Sequence, residues 1–543
     1  MSSSTETARA VLTALIEAGV REVVVAPGSR NAPLSFAAYD AESAGLVRLH
    51  TRIDERSAAF LALGLSKTGA RAAVICTSGT AVANLHPAVL EAAHAGVPLV
   101  AVTADRPARL RTTNANQTTD QVGIFGPLVA TTDFAETPAD LAELLAAATG
   151  PVHANVQLDD PLPPPDRWTP PFADSARAHR RVGRPALSNG PSDIADERRT
   201  VVVAGDDAGP PARILAEEHG WPLLAEPSSG SRTGDNAIRT YRLLLGTDLT
   251  DRIERVVVAG HPTLSRPVAR LLARADVEVL ALPARGIWPD PSHRVDRWLT
   301  GGPTRSSARA DSAVPEGRVA WLTAWQDADQ SVSRQLDRLL ADEPRLTPHE
   351  VAGAVARAMP PGGQLVVGPS NPIRDLDLMV PRYEVGARRK VLANRGLAGI
   401  DGVVSTAIGA ALGRRDGSTR DLALMGDVTF LHDANGLILG PREPRPDLTI
   451  VVVNDDGGSI FATLEQGAEQ YADAFERLFG TPHHVDVAAM CAATRTPHLK
   501  VTSRPELEQA LANPNGGIEV VEAVVGRADR RALDARIRAL RPE

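Results

Sequence analysis

The chain has 543 residues, 43% hydrophobic, 23% charged and 3% aromatic, with a net charge of −8. That length exceeds what one core can organise and predicts about three domains, while the acidic balance excludes a basic nucleic-acid-binding face at the level of the whole chain. The only cysteines, Cys76 and Cys491, are far apart, which excludes a disulfide framework or a thiolate metal centre; with no leader pattern and no apolar run of about 18 residues, a cytoplasmic protein that does not enter a membrane is expected.

An amphipathic helix is predicted over 5–18, ended by Gly19, then a strand over 22–26 and the turn Pro27-Gly28-Ser29-Arg30. A strand running into a glycine turn tipped by a hydroxyl and a cation is one way to build an anion site; an ordinary surface arginine is the equal alternative. Asp54 and Glu55 open a helix that otherwise reads as buried. Acids there usually complement the helix dipole, but a carboxylate set against apolar residues is also how a site raises a glutamate pKa. A strand over 72–76 leads through Thr77-Ser78-Gly79-Thr80 into a helix, and another over 97–103 ends in Ala104-Asp105-Arg106-Pro107. His86 and His94 lie in small-residue helical surroundings and read as packed. Residues 114–121 read as a polar loop.

Proline density over 159–171, with low hydrophobicity to residue 196, predicts a stiff connection; Arg177, Arg180, Arg181 and Arg184 read as its solvated charges. A second strand and helix region begins at Thr200, with strands over 255–260 and 277–282. A second linker is read over 301–317. The third region has a strand over 365–368 followed by Ser370 and Arg374, then the segment 390–400 leading into a small-residue helix over 403–412. The expected architecture is α/β, three doubly wound parallel-sheet domains over 1–180, 195–320 and 340–543.

Residues 421–465 carry the strongest signal. A strand over 422–425 stops at Gly426-Asp427, a helix-like segment follows, and a second strand over 448–453 ends in Asn454-Asp455-Asp456-Gly457-Gly458. In a βαβ unit both strands are parallel and both carboxyl ends open on one edge, so Asp427 and Asp455 meet although 28 positions separate them. Two hard carboxylate oxygens and an exposed carbonyl at Gly457 suit Mg²⁺, which keeps room for water and phosphate oxygens. Gly426 lets backbone approach an anion, and the following helix start favours negative charge. The residues also allow an ordinary βαβ unit with acids at its strand ends.

Gly426-Asp427 followed by Asn454-Asp455-Asp456-Gly457 resembles the thiamin diphosphate signature of decarboxylases and carboligases, with Val428 and Asp455 where that signature usually has glycine and asparagine. The segments APGSRNAPL, RIDERSAAF, TSGTAVANLHPAV, TADRP, NRGLAGIDG and NDDGGSIF together narrow the resemblance to the 2-succinyl-5-enolpyruvyl-6-hydroxy-3-cyclohexene-1-carboxylate synthase family of menaquinone biosynthesis, over nearly the whole chain. The resemblance implies a thiamin diphosphate enzyme using Mg²⁺ or Mn²⁺, in which 2-oxoglutarate is decarboxylated and the succinyl unit is added to isochorismate. Another thiamin diphosphate-dependent 2-oxo acid decarboxylase is the alternative. A homodimer or homotetramer, with each site shared between the first domain of one subunit and the third domain of another, is also implied.

Carried over residue by residue, the resemblance makes Glu55 the catalytic partner of the coenzyme pyrimidine. It gives Ala398, Ile400, Gly426, Asp427, Val428, Thr429 and Asp455 coenzyme contacts, and Asp427, Asp455 and Gly457 the metal. Ser370, Arg374 and Arg395 match positions that hold the succinyl carboxylate. Ser29, Arg30 and Gln117 match those facing isochorismate, while Ile460 and Phe461 form an apolar wall. A further isochorismate-binding arginine is expected near Trp288 to Trp298, with Arg294 and Arg297 both open.

Overall fold

The computed structural model describes residues 4–136, 138, 140–172, 194, 197–288, 290–299, 314–380, 382–387, 389–414 and 419–543. The arginines at 177, 180, 181 and 184 and most of the segment read as the second linker lie outside these residues. The described chain forms three parallel sheets with flanking helices, the α/β architecture expected.

The first sheet contains β1 (Val20–Val25), β2 (Arg48–Thr51), β3 (Arg71–Cys76), β4 (Leu99–Asp105), β5 (Ala130–Phe134) and β6 (Val152–Gln157), in the order β2-β1-β3-β4-β6-β5. The middle sheet contains β7 (Thr200–Ala204), β8 (Leu223–Ala225), β9 (Arg255–Ala259), β10 (Glu278–Ala281) and β11 (Arg297–Trp298), ordered β11-β10-β9-β7-β8. The third contains β12 (Gln364–Val367), β13 (Lys390–Leu392), β14 (Asp421–Gly426), β15 (Leu448–Asn454), β16 (His498–Val501) and β17 (Ile518–Val524), ordered β13-β12-β14-β15-β17-β16. The first and third sheets therefore share one topology. In each, the strand order reverses between the first and third strands, and ligands of such sheets bind at the carboxyl ends beside that reversal.

The strands read as near-continuous apolar runs because both faces are covered. Val24, Val74 and Cys76 face one core while Val23, Val25, Ala73 and Ile75 face another; in the third sheet Ala423 and Met425 alternate with Leu422 and Leu424 in the same way. The core on the inner side is common to the first and third units, because the helix Glu55–Lys67 lies directly on the helix Val403–Leu412. Glycine makes this contact possible. A Cβ on Gly64 would lie 2.2 Å from the Thr406 carbonyl oxygen, and one on Gly409 would lie 2.1 Å from that of Leu61.

Beyond the segment read as the second linker the chain forms a helix, Glu316–Ala341, that the sequence reading did not anticipate. Its buried Trp321, Trp325, Ala328, Val332, Leu336 and Leu340 keep a helical spacing and complete the core of the middle sheet, together with Leu533 and Ile537 of the C-terminal helix. Among the described residues no helix is long and apolar enough to cross a membrane.

Candidate active site

At the carboxyl edge of the third sheet β14 ends at Gly426, and Asp427 opens the short helix Asp427–His432. Asp427 is 2% exposed; its Oδ1 accepts the Val428 N–H at 2.7 Å and its Oδ2 the Gly457 N–H at 2.9 Å. His483 Nε2 lies 3.1 Å from the same Oδ2. Burial raises the Asp427 pKa against these hydrogen bonds. Asp455 is pushed up to about 7, first by burial and then by the charge of Asp427, with the Ser459 hydroxyl opposing. Two desolvated carboxyls that repel each other are a natural pair of hard donors for a divalent cation.

Asn454 is turned elsewhere: its Nδ2 donates to Glu522 Oε1 at 2.7 Å and its Oδ1 accepts from Asp456 N at 3.0 Å. Gly457 adopts φ 143°, and a Cβ there would meet the Gly480 carbonyl oxygen at 2.1 Å. At Gly426 a Cβ would meet only Pro372, at 4.0 Å, so the space in front of the strand end is open. Among the described residues no group of three or more His, Cys, Asp or Glu side chains is arranged to hold a metal by itself. Two carboxylates beside an open, glycine-lined strand end fit a cation that takes its other ligands from a diphosphate and water.

On the neighbouring strand, β12 runs through Ser370, at φ 71°, into the helix Asn371–Met379. Arg374 NH1 donates to the Ser370 carbonyl at 2.6 Å. Its pKa falls to about 10, chiefly through burial and then through the charge of Arg395. This helix is fixed from two sides. Asp375 accepts both terminal nitrogens of Arg530, at 2.9 and 2.5 Å, and Asp377 accepts from Arg232 at 2.9 Å and from the Tyr241 hydroxyl at 3.1 Å. Arg395, 4% exposed, lies on the loop that carries Ala398 and Ile400. Glu91 of the first unit accepts the Gly396 and Leu397 N–H groups of that loop at 2.8 and 2.7 Å, and Ala398 is held at φ 57°. Ile460 and Phe461 are half-buried on the short helix Ser459–Ala462, with Phe461 5.8 Å from Phe479.

At the carboxyl edge of the first sheet, the two acids of the pair take different positions, Asp54 as the helix cap and Glu55 in the first turn. Asp54 is the helix cap, accepting from Arg56 N at 2.8 Å and Ser57 N at 3.2 Å. Glu55 is left half-buried beside Asn84, 3.4 Å away, and its charge adds to the burial that raises the Cys76 thiol pKa. Ser29 is exposed at the end of β1. Arg30 donates to the Leu158 carbonyl at 3.2 Å, and its pKa is lowered by burial and then by the facing Arg106. Gln117, at φ 58°, is paired with the Ser78 backbone and hydroxyl at 3.1 and 2.8 Å.

Gln117, Ser370 and Ala398 are thus all non-glycine residues held at positive φ. Such conformations persist where the surroundings over-determine them, as at ligand sites.

The predicted residues fall into two groups, one in each of two units. Asp427, Val428, Thr429, Asp455, Gly457, Ser370, Arg374, Arg395, Ala398, Ile400, Ile460 and Phe461 belong to the third unit; Ser29, Arg30, Glu55 and Gln117 belong to the first. Among the described residues no hydrogen bond or ion pair joins Ser29, Arg30, Glu55 or Gln117 to the other group. Arg294 donates to the Ala275 carbonyl at 3.3 Å, at the amino-terminal edge of the middle sheet, and Arg297 is exposed on β11.

Residues 5–124 match the family described as thiamine pyrophosphate enzyme, N-terminal TPP binding domain, and residues 378–521 match its C-terminal TPP binding domain counterpart. A 2-succinyl-5-enolpyruvyl-6-hydroxy-3-cyclohexene-1-carboxylate synthase of a Nocardioides species is 69% identical, covering 99% of this chain and 98% of its own. The chain belongs to this synthase family. Synthases of the same name from an Arthrobacter species and from Mycobacterium ulcerans are 48% and 43% identical, covering 98% and 99% of this chain and 91% and 100% of their own. As a member, the protein is a thiamin diphosphate-dependent enzyme.

Two residues that contact the predicted positions were not singled out in the sequence. His483, against Asp427, follows a proline in an irregular segment whose pattern carries no periodicity. Glu91 lies in the helix His86–Ala95, where one acid among small residues reads as a surface position; its 3% exposure shows otherwise. Its distance from residue 396 in the sequence hid the contact.

Proposed function

We propose that this synthase-family member decarboxylates 2-oxoglutarate and adds the remaining four-carbon unit to isochorismate, giving 2-succinyl-5-enolpyruvyl-6-hydroxy-3-cyclohexene-1-carboxylate and CO₂. The observation that carries this reading is the placement of two arginines, the half-buried Arg374 and the buried Arg395, close enough for their charges to interact, on the same sheet edge as the Asp427 and Asp455 pair. Paired guanidinium forks have a use where a substrate brings a carboxylate beyond the one it loses; an uncharged 2-oxo acid tail gives them no partner.

Thiamin diphosphate, when bound, supplies the electron sink that makes loss of CO₂ from a 2-oxo acid feasible. Asp427, Asp455 and the Gly457 backbone would hold Mg²⁺ or Mn²⁺, with Gly426, Val428 and Thr429 lining the diphosphate. Ala398 and Ile400 would support the coenzyme from the loop braced by Glu91. Glu55 would hold a proton at the pyrimidine N1′, from a carboxyl whose neighbours are a buried strand end and Asn84. Ser370, Arg374 and Arg395 bind the carboxylate of the 2-oxo acid tail. Ser29, Arg30 and Gln117 orient isochorismate, and Ile460 and Phe461 exclude water from the reacting carbon.

The resemblance to the synthase family extends the proposal to a homodimer or homotetramer in which the first unit of one copy faces the third unit of another. A cytoplasmic location accords with the absence of a membrane-crossing helix among the described residues. The test is turnover of 2-oxoglutarate with and without isochorismate in the presence of thiamin diphosphate and Mg²⁺. Product containing both substrates is expected; equal turnover of pyruvate alone, with no carbon–carbon bond formed, would assign the protein to simple decarboxylation.

A further inference from the structure

Arg395 is oriented by a residue outside the third unit. Its Nε donates to Thr263 Oγ1 at 3.2 Å, and its NH2 donates to Thr263 Oγ1 and to the Thr263 carbonyl, both at 2.9 Å. Thr263 lies in the middle unit, on the loop that leaves the carboxyl end of β9. We propose that Thr263 is a positioning residue that sets the Arg395 guanidinium and so determines the preference of the enzyme for 2-oxo acids bearing a distal carboxylate. The inference rests on the reading of Arg395 given above.

Three features make Thr263 a fixed support. His261 and Asp206 exchange backbone hydrogen bonds, 2.9 Å in each direction, which pins the start of the loop to the end of β7. The Leu264 N–H is accepted at 2.9 Å by Oε1 of Glu226, a carboxyl only 1% exposed. The Leu264 side chain, 2% exposed, is buried in the core of the third unit with Val351, Leu376 and Val380. With the chain anchored at His261 and at Leu264, Thr263 has little room to follow Arg395 if the arginine swings, so the arginine conforms to the threonine.

A guanidinium offers two in-plane edges to carboxylates, Nε with NH2 and NH1 with NH2. Thr263 takes the first. NH1 makes no hydrogen bond among the described residues, so its two N–H donors are left for a ligand, within reach of the charge of Arg374. Arginine otherwise loses much rotamer entropy on binding, so a fork fixed beforehand binds its carboxylate more tightly and rejects a substrate that lacks one.

Thr263→Val keeps the shape and the carbonyl but deletes the oxygen that takes two of the three hydrogen bonds; Thr263→Ser keeps that oxygen. We expect Thr263→Val to raise the KM for 2-oxoglutarate about tenfold, the scale of one charge-assisted hydrogen bond, with kcat and thiamin diphosphate affinity nearly unchanged. Decarboxylation of 2-oxobutyrate, which has no distal carboxylate, should proceed as in the wild type, and Thr263→Ser should restore the wild-type KM. In an Arg395→Lys background, where the fork is absent, Thr263→Val should have no further effect. An unmoved KM in Thr263→Val, equal losses on both 2-oxo acids, or full additivity with Arg395→Lys would overturn the inference. A wild-type enzyme that fails to turn over 2-oxoglutarate would instead overturn the proposed function itself.

Discussion

The contact between the helices Glu55–Lys67 and Val403–Leu412 makes a prediction opposite in sign to that of helix propensity. Replacing glycine by alanine inside a helix normally stabilises by about 1 kcal/mol. At Gly409 the added Cβ would lie 2.1 Å from the Leu61 carbonyl oxygen and 3.1 Å from Leu65 N, whereas an ordinary contact begins at 3.4 Å. Both obstacles are backbone, so no side chain can rotate away, and the two helices must part by about 1 Å or more along this line. Overpacking of this kind costs about 3 kcal/mol at the upper end of its usual range, so Gly409→Ala should be destabilised by about 2 kcal/mol net.

Gly317 is the internal control. It lies in the first turn of Glu316–Ala341 with nothing within 4 Å of its Cβ position, so Gly317→Ala should be stabilised by a few tenths to about 1 kcal/mol. Calorimetry of the two variants under one buffer condition measures the difference. Activity gives a second reading. The first helix begins at Glu55 and the second follows the loop bearing Arg395 and Ala398, and a displacement near 1 Å can cost about 100-fold in rate. A Gly409→Ala enzyme as stable and active as Gly317→Ala would refute the packing argument.

Four further outcomes are expected. Glu55→Gln should bind thiamin diphosphate with Mg²⁺ yet lose about 100-fold or more in turnover, since it cannot hold the proton; wild-type rates would remove Glu55 from the mechanism. Asp427→Ala should lose the rise in melting temperature that thiamin diphosphate and Mg²⁺ together give the wild type, and an undiminished rise would exclude Asp427 as a ligand. His153, lowered to about 4 by burial, refuses a proton that the unfolded chain takes up near 6.5. Stability should therefore fall as pH drops from about 6.5 towards 4, by up to about 3 kcal/mol from this residue, and His153→Gln should show a shallower acid limb in urea titrations. Glu226, pushed up to about 8 by burial, keeps its proton where the unfolded chain has lost it, so its cost grows as pH rises from about 4.5 to 8; Glu226→Gln should gain on the wild type across that window in the same titrations.

Much of the architecture was legible because it is written in local pattern. Alternating apolar runs and glycine turns mark strand after strand, and Gly426-Asp427 and Asn454-Asp455 mark two strand ends of one βαβ unit, a motif whose parallel strands bring them to one edge. The helix Glu316–Ala341 was legible in principle, since Trp321, Trp325, Ala328, Val332, Leu336 and Leu340 keep the helical period, but its proximity to a glycine- and serine-rich stretch masked it. Which acid of the pair caps the helix was not legible in the local pattern. Either acid can cap a helix, and only the observed hydrogen bonds show that Asp54 does.

The sequence by itself determined the fold class, the family and the two acids of the third unit, because each depends on residues close along the chain or on the geometry of one supersecondary unit. Tertiary structure alone decided that Arg395 leans on Thr263, that Glu91 braces the loop of Ala398, and that Gly64 and Gly409 let two helices touch backbone to backbone. Those pairings join residues more than a hundred positions apart. Their partners are selected by which surfaces come into van der Waals contact when three sheets pack, and no periodicity of a linear chain records that choice.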